Sequence, residues 1–180
     1  DRGRFGAHNL GLTTGGPLDS VAFDWANRML ANDINATCLE ISFGGLVIEA
    51  QLDTSFVITG AEAPCKLNED LIEQWRSYDI KPGDKLEIGF ASAGTRCYLA
   101  VSGGFSIDPS FGSSSTVLRE KIGGLNGDKL QAGDQLPCSS KRLSTHCYLA
   151  AGERPKYSDF ARLRVVPGYQ QAEFSPLQQW

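Results

Sequence analysis

The chain has no long apolar run, no basic cluster, no Cys-x-x-Cys pair and only two histidines, His8 and His146. Each absence closes a class of function. The apolar stretches are a few residues long, far short of the roughly 20 that a membrane-spanning helix needs. Asp1-Arg2-Gly3-Arg4 is not followed by an apolar stretch, so no secretory signal peptide is read here. Seventeen Lys and Arg stand against 21 Asp and Glu, a net charge of −4, so a nucleic-acid partner held through its phosphates is not expected. Five cysteines (Cys38, Cys65, Cys97, Cys138 and Cys147) form an odd set without zinc or disulfide-framework spacing. They read as reduced thiols of a cytoplasmic protein, with Cys97 and Cys147 as small hydrophobes in strand-like runs. His146 and Cys147 are neighbours on a strand-like run and face opposite sides, so they cannot close on one metal, and no metal site is expected. Nucleophile-elbow, HExxH and EF-hand patterns are missing. Gly89 to Arg96 has P-loop spacing, but Thr95-Arg96 replaces the lysine and hydroxyl that would reach phosphate and magnesium, so it reads as a turn.

What the chain does have is punctuation. Hydrophobic residues are 41% and charged residues 21% of 180 residues, which suits one folded domain, or one plus a fragment of a second. Twenty Gly and 8 Pro separate short runs, a mainly β pattern consistent with a closed barrel or a sandwich. Leu39, Ile41 and Phe43 alternate with Glu40 and Ser42; Phe56 to Ile58, Leu86 to Phe90, Tyr98 to Val101 and Leu163 to Val166 are further strand candidates. From Asp19 to Asn32 the period changes. Val21, Ala22, Trp25, Ala26, Met29 and Leu30 make one helical stripe, with Asp19 as N-cap and Asn32 as stop. Asn68 to Trp75 fits either a strand or a helical turn. Gly83-Asp84-Lys85-Leu86 and Cys97-Tyr98-Leu99-Ala100 recur 50 positions later as Gly133-Asp134-Gln135-Leu136 and Cys147-Tyr148-Leu149-Ala150. That echo reads either as one turn and strand pair used twice or as coincidence.

Four loops rich in glycine or hydroxyls are candidates for binding. Thr13-Thr14-Gly15-Gly16-Pro17 runs into the helix, where backbone amides suit an anion, although Asp19 competes for them. The others are Thr59 to Glu62, Ser102 to Gly104, and Gly112 to Thr116 ahead of Arg119, a fork suited to carboxylate or phosphate. Each taken alone also fits an ordinary turn capped by its own side chains.

Taken together, the motifs carry a family resemblance. DRGRFG (1–6), LGLTTGGPLD (10–19), Leu39-Glu40-Ile41, Ile58 to Ala61, Trp75 to Ser77, KPGDKLEIG (81–89), YLAVSGG (98–104), FGSSST (111–116), IGGLNG, LQAGDQL and RVVPG (164–168) follow one another in an order that resembles the KipA family. That family is also known as allophanate hydrolase subunit 2, the biotin-dependent carboxyltransferase-like A/B domain, or the C subunit of 5-oxoprolinase. The resemblance implies a cyclophilin-like β barrel with one short helix, the first half of a protein of two similar subdomains. Its barrel would span residues 1–137, lacking a first strand, with a connecting segment at 138–162 and the start of a truncated second subdomain at 163–180. An open barrel edge would favour self-association.

The activity implied is that of a bacterial, cytoplasmic subunit of an ATP-dependent amidohydrolase. It would open 5-oxoproline to glutamate, acting only with a KipI-like protein and a LamB/YcsF-like protein. ATP with magnesium would serve at the level of that assembly. The other implied role is regulatory, as an antagonist of a KipI-like kinase inhibitor. Lactam opening needs cations and backbone donors for carboxylate and phosphoryl charge. The candidates are Arg4, Arg96 and Arg119 with Thr13, Thr14, Gly15, Gly16, Ser113, Ser115 and Thr116; no catalytic residue is singled out. Ser114 stands where relatives often have Arg, removing one cation, and His8 and Leu18 replace a frequent Gln and Met.

Overall fold

The computed structural model describes residues 1–158, 160 and 162–175. Among the described residues eight strands and one α-helix make up the body: α1 (Ser20–Met29), β1 (Leu39–Ser42), β2 (Leu46–Glu49), β3 (Thr54–Glu62), β4 (Cys65–Leu67), β5 (Asp70–Ile72), β6 (Ser77–Ile80), β7 (Lys85–Ile88) and β8 (Ala93–Val101). They form two antiparallel four-stranded sheets, ordered β1-β8-β3-β6 and β2-β7-β4-β5.

Period-2 alternation explains the layering. Ile41, Phe56, Ile58, Cys97, Leu99 and Val101 of the first sheet face Cys65, Leu86 and Ile88 of the second in one apolar core. The intervening Val57, Tyr98 and Ala100 point the other way, onto Ala22, Phe23, Ala26 and Met29 of α1. The central strands β3 and β8 are therefore covered on both faces, while the second sheet turns one face to solvent. Among the described residues the strands do not close into a continuous barrel. The sheets are joined at their bends by Phe43 N–H donating to Thr95 O at 2.9 Å, Ala91 N–H to Phe43 O at 2.9 Å and Gly89 N–H to Pro64 O at 2.8 Å.

The helix starts as its composition dictates. Asp19 Oδ1 accepts from Ala22 N–H at 3.0 Å, and Asn32 N–H closes on Asn27 O at 3.0 Å beyond the last turn. The stripe is rotated from the expected one: Val21 is exposed, and Phe23 and Asn27 are buried. Asn68–Trp75 contains β5, hairpinned to β4. Thr59 to Glu62 is no loop but the end of β3, and Phe43 leaves the alternation because β1 stops at Ser42. The 50-residue echo is half real. Asp84 N–H bonds Lys81 O while Lys81 N–H bonds Asp84 Oδ2, and Asp134 and Gln131 repeat the same pair of bonds. The strand half does not repeat, since Tyr148 makes only an isolated bridge to Arg76.

The segment 138–149 folds back on the first sheet. Ser77 N–H bonds Cys147 O and Leu149 N–H bonds Trp75 O, which covers the β6 edge and buries Leu149 against the helix layer. Leu163 to Val166, expected as a strand, has no ladder among the described residues, and its side chains are exposed. No helix among the described residues is long and apolar enough to cross a membrane.

Candidate functional site

The loop before α1 and the serine loop meet. Gly16 N–H donates to Ser115 Oγ at 2.8 Å, and Thr13 Oγ1 donates to Glu120 Oε1 at 2.8 Å. Gly15 has φ 69°, and a Cβ there would lie 2.6 Å from Ser115 Oγ, so close approach of the loops requires glycine. Above this junction lies a groove of about 720 Å³ lined by His8, Thr13 to Leu18, Glu40, Arg96 and Arg119. Arg96 and Arg119 are thus brought to the same groove as Thr13, Thr14, Gly15 and Gly16. A second cavity of about 560 Å³, lined by Leu39, Ile41, Phe105 and Leu130 among others, shares Glu40 and Gly16 with the groove but is mainly apolar.

Arg4 lies elsewhere. It is 1% exposed beneath the loops, where its guanidinium donates to the carbonyls of Ser115 at 2.6 Å and Ser110 at 3.4 Å, and Nη1 is buried without a partner. Ser113 is buried in the same layer with Ser115 half-buried beside it, and Thr116 lines the apolar cavity. The donors of the serine loop hold an anion of the chain's own. Asp1 Oδ1 accepts from Ser113 Oγ at 2.7 Å, and Asp1 Oδ2 accepts from Ser114 N–H at 2.7 Å and Ser114 Oγ at 3.1 Å. The free end of α1 is likewise filled by Asp19. Ser102 to Gly104 packs on Asn32, at the far end of the helix, and does not join the groove.

Each cation of the groove has a carboxylate beside it. Arg96 Nε donates to Glu40 Oε1 at 3.2 Å and Nη1 to Thr95 O at 3.1 Å, while the guanidinium carbon stands 5.8 Å from the Phe43 ring centroid. Arg119 reaches Glu120 Oε1 at 2.6 Å and Thr13 Oγ1 at 3.0 Å. The hydrogen bonds from Arg119 and Thr13 hold the Glu120 carboxyl below its ordinary range.

Glu40, Tyr98, Asp19 and Tyr157 form a network that single-position reading of the sequence misses. Tyr98 OH donates to Glu40 Oε2 at 2.6 Å and accepts from Asp19 N–H at 2.8 Å; Leu18 N–H donates to Glu40 Oε2 at 3.0 Å, and Tyr157 OH to Asp19 Oδ2 at 2.6 Å. Burial, with the neighbouring carboxylates, pushes both tyrosine hydroxyls well above their usual value, so they remain proton donors. The signal available was the Glu40–Ser42 alternation. What it lacked was the register that sets Glu40 opposite Tyr98 and diagonal to Arg96. Among the described residues no three His, Cys, Asp or Glu side chains gather as a metal-ligand set.

The fold and this groove can be set beside known proteins. The family model described as carboxyltransferase domain, subdomain A and B, matches residues 10–179. The chain is 38% identical to the C subunit of 5-oxoprolinase from Escherichia coli (strain K12) over 175 residues, which is 97% of this chain and 55% of that protein. It is 36% identical to the urea amidolyase of Lachancea kluyveri over 143 residues, 79% of this chain and 8% of that protein. A crystal structure of TTHA0988 superposes with a TM-score of 0.83 at 32% identity, covering 94% of this chain and 62% of that one. The K. lactis urea amidolyase superposes at 0.73 with 35% identity, covering 75% of this chain and 8% of that one. This chain therefore spans about half of the 5-oxoprolinase component it matches, 55%, and a small part of the urea amidolyases. With the family model matching nearly the whole sequence, the chain belongs to the carboxyltransferase domain, subdomain A and B, family that includes these 5-oxoprolinase C subunits.

Proposed function

We propose that the chain is part of a subunit of an ATP-dependent amidohydrolase of the 5-oxoprolinase type, active together with a KipI-like and a LamB/YcsF-like partner. The observation that carries this reading is the convergence of Arg96, Arg119 and the Thr13–Gly16 loop on one groove, in a chain whose relatives are named for 5-oxoproline and urea chemistry. A lactam is a stabilised amide. Transfer of the terminal phosphoryl group of ATP to its carbonyl oxygen, with ADP leaving, makes the ring carbon electrophilic. One water then opens the ring by C–N cleavage, the nitrogen taking up a proton, and leaves an acyl phosphate. A second water releases phosphate and glutamate. ATP and its magnesium enter at the level of the assembly, and this chain's part is to hold and orient an anionic substrate.

The assay is 5-oxoproline-dependent ATP hydrolysis by the assembly reconstituted with the full-length protein. Arg96→Ala and Arg119→Ala should each lower kcat/KM by roughly tenfold or more, the loss of one charge-assisted contact. Wild-type turnover unaffected by either change removes the groove from the reaction. Partner binding without any turnover favours the regulatory role, as an antagonist of a KipI-like inhibitor, instead.

A further inference from the structure

The charges of the groove alternate. Arg96 and Arg119 line it together with Glu40, and Glu120, not itself a lining residue, is bonded to Arg119 and to Thr13, so each guanidinium already touches a carboxylate. A triphosphate placed here meets the Glu40 carboxylate and two cations whose charge is already offset by Glu40 and Glu120, which leaves little positive field to offset its desolvation. The arrangement suits a ligand that presents one anion and one hydrogen-bond donor.

Both halves of that recognition are prepared. Among the described residues Arg96 uses Nε on Glu40 and Nη1 on Thr95 O, which leaves Nη2 for a ligand. Phe43 braces the guanidinium from a strained position: it is 59% exposed and has φ 60°, a conformation unfavourable for a bulky residue. Burial of its exposed ring offsets little of this, and its backbone is pinned at both N–H and C=O by the bend. Glu40 is equally fixed. Oε2 is saturated by Tyr98 OH and Leu18 N–H, whereas Oε1 accepts only Arg96 Nε and keeps capacity for a second donor.

We infer that this groove binds a small carboxylate bearing an adjacent amide N–H, with the carboxylate on Arg96 and Arg119 and the N–H on Glu40 Oε1, and that the nucleotide triphosphate is held elsewhere in the assembly. The inference rests on the amidohydrolase reading and narrows it: Glu40 selects the amide, and Phe43 and Glu40 position Arg96.

Titration calorimetry on the full-length protein tests this with three probes: 5-oxoproline, cyclopentanecarboxylate (a five-membered ring carrying the acid but no N–H) and Mg-ATP. Wild type should bind 5-oxoproline roughly tenfold or more tightly than cyclopentanecarboxylate, because a site built for a donor rejects an analogue lacking it. Glu40→Gln should erase that preference, Arg119→Ala should weaken both acids, and Mg-ATP should not displace 5-oxoproline. Equal affinity for the two acids, a preference that survives Glu40→Gln, or displacement by Mg-ATP overturns the inference. Arg119 is exposed, so if Glu40→Gln does not fold, Arg119→Ala and the wild-type comparison still decide. If the assembly turns over no 5-oxoproline while the Glu40-dependent preference holds, the amidohydrolase reading alone falls. If turnover proceeds while binding ignores Glu40→Gln and Arg119→Ala, this inference alone falls.

Discussion

Asp1 accepts four hydrogen bonds, from Gly3 N–H at 2.9 Å and from the Ser113 hydroxyl, the Ser114 amide and the Ser114 hydroxyl. A carboxylate held this way ties the first residues to a loop more than 100 positions away. Asp1→Ala should lower unfolding free energy by roughly 2 kcal/mol, read from urea denaturation, because it strands the donors of a partly buried loop. A change within error would mean that water satisfies them equally well. The buried thiols of Cys65 and Cys97, with the half-buried Cys38, make a second, pH-dependent prediction. Burial pushes Cys65 and Cys38 up to about 12 and Cys97 up to about 11, from an ordinary 9.0. The folded state therefore holds these protons more tightly than the unfolded one. Their contribution is fully present below pH 9 and is lost as pH rises through 11 to 12. The urea midpoint should fall between pH 8 and pH 10.5, and a flat profile contradicts the burial of these thiols.

At the bend that passes from β1 to β2, Gly44 has φ 92° and a Cβ there would collide with the Gly89 carbonyl oxygen, a backbone atom that cannot swing away. Gly83, in the turn before β7, has φ 86° but open space around it. Gly83→Ala should cost about 1 kcal/mol from backbone conformation alone, and Gly44→Ala clearly more, since the joint between the sheets must shift. Thermal unfolding of the two variants measures the difference; equal losses mean that the bend adapts freely. The helix was legible because its stripe and its Asp19 cap are local. The depth of Phe23 was not, because the sheet decides which flank of the stripe is inside: Phe23 meets Tyr98 edge to face at 6.3 Å. Likewise the repeated Gly-Asp turns were legible as turns, each closing within four residues, whereas a strand needs a partner strand, and of the two echoed segments Cys97–Ala100, in β8, has one on each side while Tyr148 makes an isolated bridge.

For the molecule as a whole, the β6 edge is covered by the segment around Cys147, while β1, β2 and β5 are terminal strands of their sheets. β5 is three residues long with Leu71 74% exposed, an apolar side chain on an open edge. Self-association is the expected consequence. Light scattering should show concentration-dependent growth that Leu71→Lys reduces, and a clean monomer at all concentrations argues against it. The candidate site, too, is assembled at this scale. Of three arginines proposed from sequence, Arg96 and Arg119 reach the groove because β8 and the 116–120 turn both abut the loop before α1, while Arg4 is folded under the loops to satisfy their carbonyls.

Short-range chemistry is enough to dictate the mainly β alternation, the capped helix, the Gly-Asp turns and, through the order of the motifs, the family, and all of these could be read from the residues in line. That the strands form two sheets, that the serine loop is filled by Asp1, and that Glu40 stands beside Arg96 and Tyr98 came only with the folded chain. Those outcomes depend on strand register and on contacts such as Tyr98 to Glu40, 58 positions apart. Local propensity carries no information about such pairs. Their geometry follows only once burial of both faces of β3 and β8 has set which strands lie side by side.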